Sequence, residues 1–177
     1  MIDQELLERS VTEATAEVFS TMLEMKVRFT GAAGPTRRPE LGIISLVGIT
    51  GEWAGSGVFC CSPALASLLC ARMLGDEPET GSPAINEEVL DVVAEITNMM
   101  IGNIKNGLEP VTGPLAISVP TVIHGRNFEF RNASGLRAVA LAFETEDHTF
   151  EIRISLAPAS EQSGVRSRVP VLGLAHM

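Results

Sequence analysis

Asp91-Val-Val-Ala-Glu95-Ile-Thr-Asn98-Met-Met-Ile-Gly102-Asn103 reads as successive turns of one amphipathic helix. At about 100° per residue, Asp91, Glu95, Asn98 and Gly102 fall within roughly 60° of one another. Lys105 and Asn106 extend that stripe, while Val89, Val93, Ile96, Met100 and Ile104 take the opposite side and form a core face. Glu95 and Asn98 are three apart and therefore neighbours on the helix surface. Gly102, one turn on, leaves a shallow notch beside them. A lone surface Glu or Asn is ordinarily only solvated. A carboxylate that can grip a cation, set beside an amide that can both donate to and accept from a water, is nevertheless a usable pair for hydrolysis in another molecule's active site. Asn103 points away from the stripe and reads as a structural clip to a neighbouring strand or helix.

Around this helix the chain punctuates itself clearly. Residues 3–26 show helical spacing through Leu6, Leu7, Val11, Ala14, Val18, Met22 and Met25. Residues 31–39 are a Gly/Pro/Arg-rich loop. A buried strand over 41–49 turns at Thr50-Gly51-Glu52 into a second strand, 53–61. Ser62-Pro63 opens a short helix that Gly75 stops. A polar loop over 76–83 precedes the motif helix, expected over about 85–106 and ended by Gly107 and Pro110. Extended pieces at 115–119 and 122–130 follow, then a hairpin, 137–145 and 148–156, turning at Glu146-Asp147. Residues 1–157 are expected to form one domain. The tail, 158–177, begins linker-like; it is expected to be flexible or to dock through Val169 to Leu174. Trp53 and the methionines Met22, Met25, Met99 and Met100 are expected in the core.

Ala16-Glu17-Val-Phe-Ser20-Thr-Met-Leu overlays Ala94-Glu95-Ile-Thr-Asn98-Met-Met-Ile at an offset of 78 residues. The overlay suggests two long adjacent helices packed on a mostly antiparallel sheet, an α+β fold with an internal pseudo-repeat. Only the second copy has the carboxylate and the amide together.

With 45% hydrophobic residues, the 177-residue chain can bury a substantial core. Its net charge of −9, from 22 acidic and 13 basic residues, argues against nucleic-acid and anionic-membrane surfaces. The start, Met-Ile-Asp-Gln-Glu-Leu-Leu-Glu, lacks the basic opening of a signal peptide and no apolar run reaches membrane-spanning length, so a cytoplasmic location is expected. Cys60, Cys61 and Cys70 read as buried apolar residues, and with His124, His148 and His176 scattered they give no metal-binding spacing.

Asp91-x-x-x-Glu95-x-x-Asn98 followed by Pro120, with Gly102-Asn-Ile-Lys105 between, resembles the motif of the CheC/CheX/FliY chemotaxis phosphatases, and CheX most closely. The resemblance spans residues 5–156. Asn98 and Pro120 are separated by 21 residues, about one fewer than is usual for that family, which a shorter loop after the helix would absorb. The implied activity is hydrolysis of the phospho-aspartate of a CheY-type response regulator. Asn98 would orient the attacking water, and Glu95 would pair with the regulator's lysine. The same resemblance marks Asp91, Gly102 and Pro120 as motif or partner-binding positions. It implies no cofactor on this chain, Mg2+ held by the phosphorylated regulator, and a homodimer joined through sheet edges. Two other readings stand beside it. One is a non-catalytic response-regulator-binding module related to flagellar motor switch proteins. The other is an unrelated small-molecule-binding α/β domain, for which no phosphate-cradling Gly loop or nucleophile elbow is present.

Overall fold

The structure is a computed structural model that describes residues 2–34, 37–38, 42–77, 84–129 and 135–162. In chain order its elements are α1 (Gln4–Met22), β1 (Arg28–Ala32), β2 (Arg37–Arg38), β3 (Gly42–Gly51), β4 (Trp53–Cys61), α2 (Pro63–Leu74), α3 (Glu87–Thr112), β5 (Leu115–Ile117), β6 (Thr121–Gly125), β7 (Phe128–Glu129), β8 (Arg137–Thr145), β9 (His148–Pro158) and α4 (Ala159–Gln162).

Each long helix begins where a short polar side chain can satisfy an orphan amide. The Asp3 carboxylate accepts from the Leu6 N–H at 2.8 Å, Ser62 Oγ from Leu65 at 3.2 Å, and Asn86 Oδ1 from Val89 at 2.9 Å. Glu87 and Glu88 in the first turn of α3 also suit the positive end of its dipole. Gly75 ends α2 in the left-handed region, φ 75°, as the sequence predicts.

The sheet runs β1-β8-β9-β4-β3-β5, with β6 also paired to β3, and every pairing is antiparallel. Its plan is two-fold in spirit. The hairpins β3–β4 and β8–β9 meet along β4 and β9 in the middle. Each half's preceding strand then crosses over to the other half's hairpin, β1 onto β8 and β6 onto β3. A separate ribbon pairs β2 with β7. The α+β class, the two adjacent long helices and the antiparallel sheet are thus as the sequence suggests, including the tight turn at Glu146-Asp147.

The three long helices cover one face. Residues 43, 47 and 49 of β3, 139, 141 and 143 of β8, and 150, 152, 154 and 156 of β9 point into the core with the apolar stripes of α1 and α3. Phe150 is its hub, stacking on Phe19 of α1 at 4.8 Å and on Phe143 at 5.3 Å and meeting Phe59 edge-on at 5.6 Å. On the other face, Phe128 packs over Ile44, Val58 and Cys60. The three cysteines are buried.

Several expectations need correction. α3 does not stop at Gly107; it continues to Thr112 and ends at Gly113, φ 77°. Gly107 faces α1, where an added Cβ would lie 3.4 Å from Ser10 Oγ, so its small size serves packing between the two helices. Beyond it, Leu108 and Thr112 are buried and reward the extra turns, and Pro110 falls within the last turn, beside the solvent-exposed Asn106. α1 ends earlier than residue 26, and Met22 is 44% exposed while Met25 and Met100 are buried. β1 lies partly within the segment read as a loop; its residues are mostly exposed and give no alternation of burial. Residues 159–162 form a helical turn tied back by the Ala159 N–H to the Glu52 carbonyl at 2.9 Å, where the sequence looks linker-like. Residues 35–36, 39 and 78–83 of the expected loops, the start of the expected strand at 41, the end of the expected extended piece at 130, and the tail from 163 onward lie outside the described residues.

Candidate functional site

The position of α3 is set by a missing side chain. Gly57 of β4 lies beneath it, and a Cβ there would stand 2.5 Å from Ile101 Cδ1, so the glycine lets the helix settle directly on the sheet. With Val89, Val93, Ile96, Met100 and Ile104 buried, the opposite stripe faces outward. On one flank, Asn103 Nδ2 donates to Glu17 Oε2 of α1 at 3.2 Å. Asn103 is therefore a clip to a neighbouring helix, half-buried between the two.

On the other flank a compact clamp draws the chain after α3 back along the helix. Lys105 Nζ donates to Glu109 Oε1 at 2.7 Å and to the Leu115 carbonyl at 3.3 Å, and the Leu115 N–H donates to Glu109 Oε1 at 3.0 Å. The hydrogen bond from Lys105, then that from Leu115, holds the Glu109 carboxyl below the usual carboxylate range. Lys105, which by periodicity extends the stripe, is thus engaged in holding β5 in place. Only Gly113 and Pro114 separate α3 from β5.

Beyond β5 the turn is fixed as firmly. The Ser118 N–H donates to the Gly48 carbonyl at 2.9 Å, the Gly48 N–H donates to Ser118 Oγ at 2.9 Å, and Ser118 Oγ donates to the Val119 carbonyl at 2.9 Å. The result is an open concavity of about 460 Å3 between α3 and the β5–β6 connection. Asp91, Glu95 and Asn98 line it from the helix; Ile117 at the end of β5, and Val119 and Pro120 of the connection, line it from the other side. Asp91 and Glu95 are exposed, and Asn98 and Pro120 are half-buried. Among the described residues, none forms a hydrogen bond or ion pair with the side chains of Asp91, Glu95 or Asn98. On the flanks Asn103, Lys105 and Glu109 are engaged, whereas Asp91, Glu95 and Asn98 face the concavity without such a partner among the described residues.

Four of the five positions singled out in the sequence, Asp91, Glu95, Asn98 and Pro120, thus meet around one opening. Gly102 lies one turn further on, outside the lining, where an added Cβ would make an ordinary 3.9 Å contact with Ile117 Cδ1. The apolar wall of Ile117 and Val119 is not legible from helical periodicity, although Val119 directly precedes Pro120. A second concavity of about 410 Å3 lies between α2 and the start of α3, lined by Cys70, Asp76 and Glu88 among others. Burial, then the charges of Glu88 and Asp76, push the Cys70 thiol up and favour its neutral form. Among the described residues, no helix is long and apolar enough to cross a membrane.

Comparison with known proteins gives a consistent picture. The family model described as chemotaxis phosphatase CheX matches residues 43–144, more than half of the chain. The CheY-P phosphatase CheX of Thermotoga maritima is 24% identical over 114 residues, covering 64% of this chain and 71% of that protein. A CheC-like superfamily protein from Shewanella sp. PV-4 superposes with a TM-score of 0.74 at 25% identity, over 88% of this chain and 99% of that one. The CheX–CheY–BeF3–Mg2+ complex from Borrelia burgdorferi shows the same fold, with a TM-score of 0.65 at 21% identity over 88% of this chain and 99% of that one.

Proposed function

The chain belongs to the CheX chemotaxis phosphatase family, and on that premise we propose that it hydrolyses the phospho-aspartate of a CheY-type response regulator. The observation that carries this reading is the contrast within α3. Asn103, Lys105 and Glu109 are held by the protein's own hydrogen bonds, whereas Glu95 and Asn98 present uncommitted polar groups to an open concavity.

An acyl phosphate is already activated, so hydrolysis demands position more than covalent assistance. Asn98 enters the regulator's site. Its Oδ1 accepts a hydrogen bond from a water and its Nδ2 can donate one, fixing that water in line with the scissile bond. The water oxygen attacks phosphorus, the bond from phosphorus to the aspartyl oxygen breaks, and inorganic phosphate leaves with the regulator's carboxylate restored. Glu95 pairs with the regulator's lysine and sets the register between the two proteins. Mg2+ belongs to the regulator in this scheme, where it balances charge on the phosphoryl group. Asp91 and Pro120 shape the rim. The cytoplasmic location follows from such a partner, and a homodimer would use one of the two open sheet edges, β1 or the β5–β6 side.

The test is loss of phosphate from a phosphorylated regulator, followed with wild type, Asn98→Ala and Glu95→Ala. Wild type is expected to accelerate the loss. Asn98→Ala should lower kcat about a hundredfold with little change in binding, and Glu95→Ala should weaken both. Binding without acceleration would instead identify a non-catalytic regulator-binding module.

A further inference from the structure

The concavity has two unlike walls. Its helix wall is acidic and polar through Asp91, Glu95 and Asn98; its facing wall is apolar through Ile117, Val119 and Pro120. Val119 is 83% exposed, and among the described residues the next large apolar side chain is Leu74 at 48%. A valine left so open is ordinarily just a tolerated surface residue. Two features set this one apart. It lies on the same opening as Glu95 and Asn98. It is also rigidly carried, with Ser118 bonded twice to Gly48 and once to the Val119 carbonyl on one side and Pro120 fixing the backbone on the other. A β-branched side chain on a fixed backbone loses little freedom when covered.

We propose that Val119 is the apolar docking point for the phosphorylated regulator, buried against an apolar patch beside the phosphorylation site as Asn98 and Glu95 enter it. The proposal rests on the phosphatase reading above and adds to it the contact that supplies affinity. The charge of this chain favours such a contact. The helix wall carries two carboxylates and the chain a net charge of −9, so this chain's own charge does not draw it to an anionic aspartyl phosphate. The single pairing of Glu95 with a lysine gives register; burial of Val119 gives binding that salt does not screen.

The experiment compares wild type, Val119→Ser and Val119→Ile in the full chain. It reads KM and kcat for phosphate loss, Kd for a regulator activated with beryllium fluoride, melting temperature and sedimentation. Covering one valine corresponds to about a tenfold change in affinity. Val119→Ser should raise KM and Kd about tenfold with kcat within about twofold, to the same extent at low and high salt, and without a change in melting temperature. Val119→Ile should keep wild-type binding. Unchanged KM and Kd in Val119→Ser would overturn the proposal, and so would an effect confined to self-association, which would mean that a second copy of this chain covers the residue. If wild type fails to accelerate phosphate loss, the phosphatase reading falls, and the Kd comparison alone still decides whether Val119 docks the regulator.

Discussion

Asn103 of α3 donates its side-chain hydrogen bond to Glu17 of α1, the residue that the pseudo-repeat places opposite Glu95. The first copy's carboxylate is therefore spent on joining the two helices, and Ser20, which stands where the second copy has Asn98, turns its hydroxyl back onto the Glu17 carbonyl at 3.1 Å. The two copies share a backbone plan while their polar groups do different work.

Restoring an amide to the first copy should not restore a site. The double variant Ser20→Asn, Asn98→Ala is expected to lose phosphate from the regulator no faster than Asn98→Ala alone, because Glu17 is already engaged. Recovery of turnover in that double variant would refute the assignment of Glu17 to structure. Asn103→Ala, by contrast, should reduce stability by about 1 kcal/mol in a denaturant titration and leave kcat near wild type.

Asn98→Asp is nearly isosteric, yet it removes the NH₂ donor and places a negative charge toward an anionic phosphoryl group. Its kcat should be at least as low as that of Asn98→Ala at neutral pH. A variant retaining more than about a tenth of wild-type turnover would show that shape, rather than the amide's paired donor and acceptor, matters at this position.

The glycines of the site should respond in opposite directions. Gly57→Ala forces a Cβ against Ile101, within 2.5 Å of Cδ1, and should cost about 1–3 kcal/mol. Trimming the partner in Gly57→Ala, Ile101→Val should recover part of that loss. Gly102→Ala meets only an ordinary contact and should raise stability by about 0.5–1 kcal/mol. If the regulator rests in the notch, Gly102→Ala also raises KM; thermal melts and kinetics together separate the two effects.

Acid should loosen the clamp beside the site. Glu109 has its carboxyl held low by Lys105 and the Leu115 N–H. A depressed folded-state value means that this contribution is fully present above the unfolded-state value and is lost as the pH falls through the lower, folded-state one. Glu109→Gln should therefore lower the melting temperature at neutral pH and flatten its dependence on pH in the acid range. An acid limb with the same slope in the variant would assign that limb to other carboxylates.

The motif helix and both hairpins were legible because their signals are local: a 3.6-residue period through Val89, Val93, Ile96 and Met100, the Ser62-Pro63 start, and the Glu146-Asp147 turn. The candidate stripe was legible for the same reason, since residues on one helix face share a direction whatever lies around them. What could not be read came from tertiary context. Gly107 and Pro110 carry stop signals, but burial of Leu108 and Thr112 outweighs them. β1 becomes a strand only because β8 offers it an edge. The apolar wall of the site depends on a clamp between Glu109 and Leu115 and on Ser118 meeting Gly48, a partner 70 residues away.

The crossing of β1 onto β8 and of β6 onto β3 has a consequence for how this chain can change over time. Neither half owns a complete set of neighbours, so neither can be removed without opening the other's sheet. Removing the first half would strip the second of the strand that shields β8, and would take away β3, on which the wall carrying Val119 and Pro120 is hung. The first half, without the paired carboxylate and amide, is thereby held in place by its strand pairing and its packed core side chains. Its outward helix surface, around Glu13 and Ser20, is left at liberty to drift or to acquire another use.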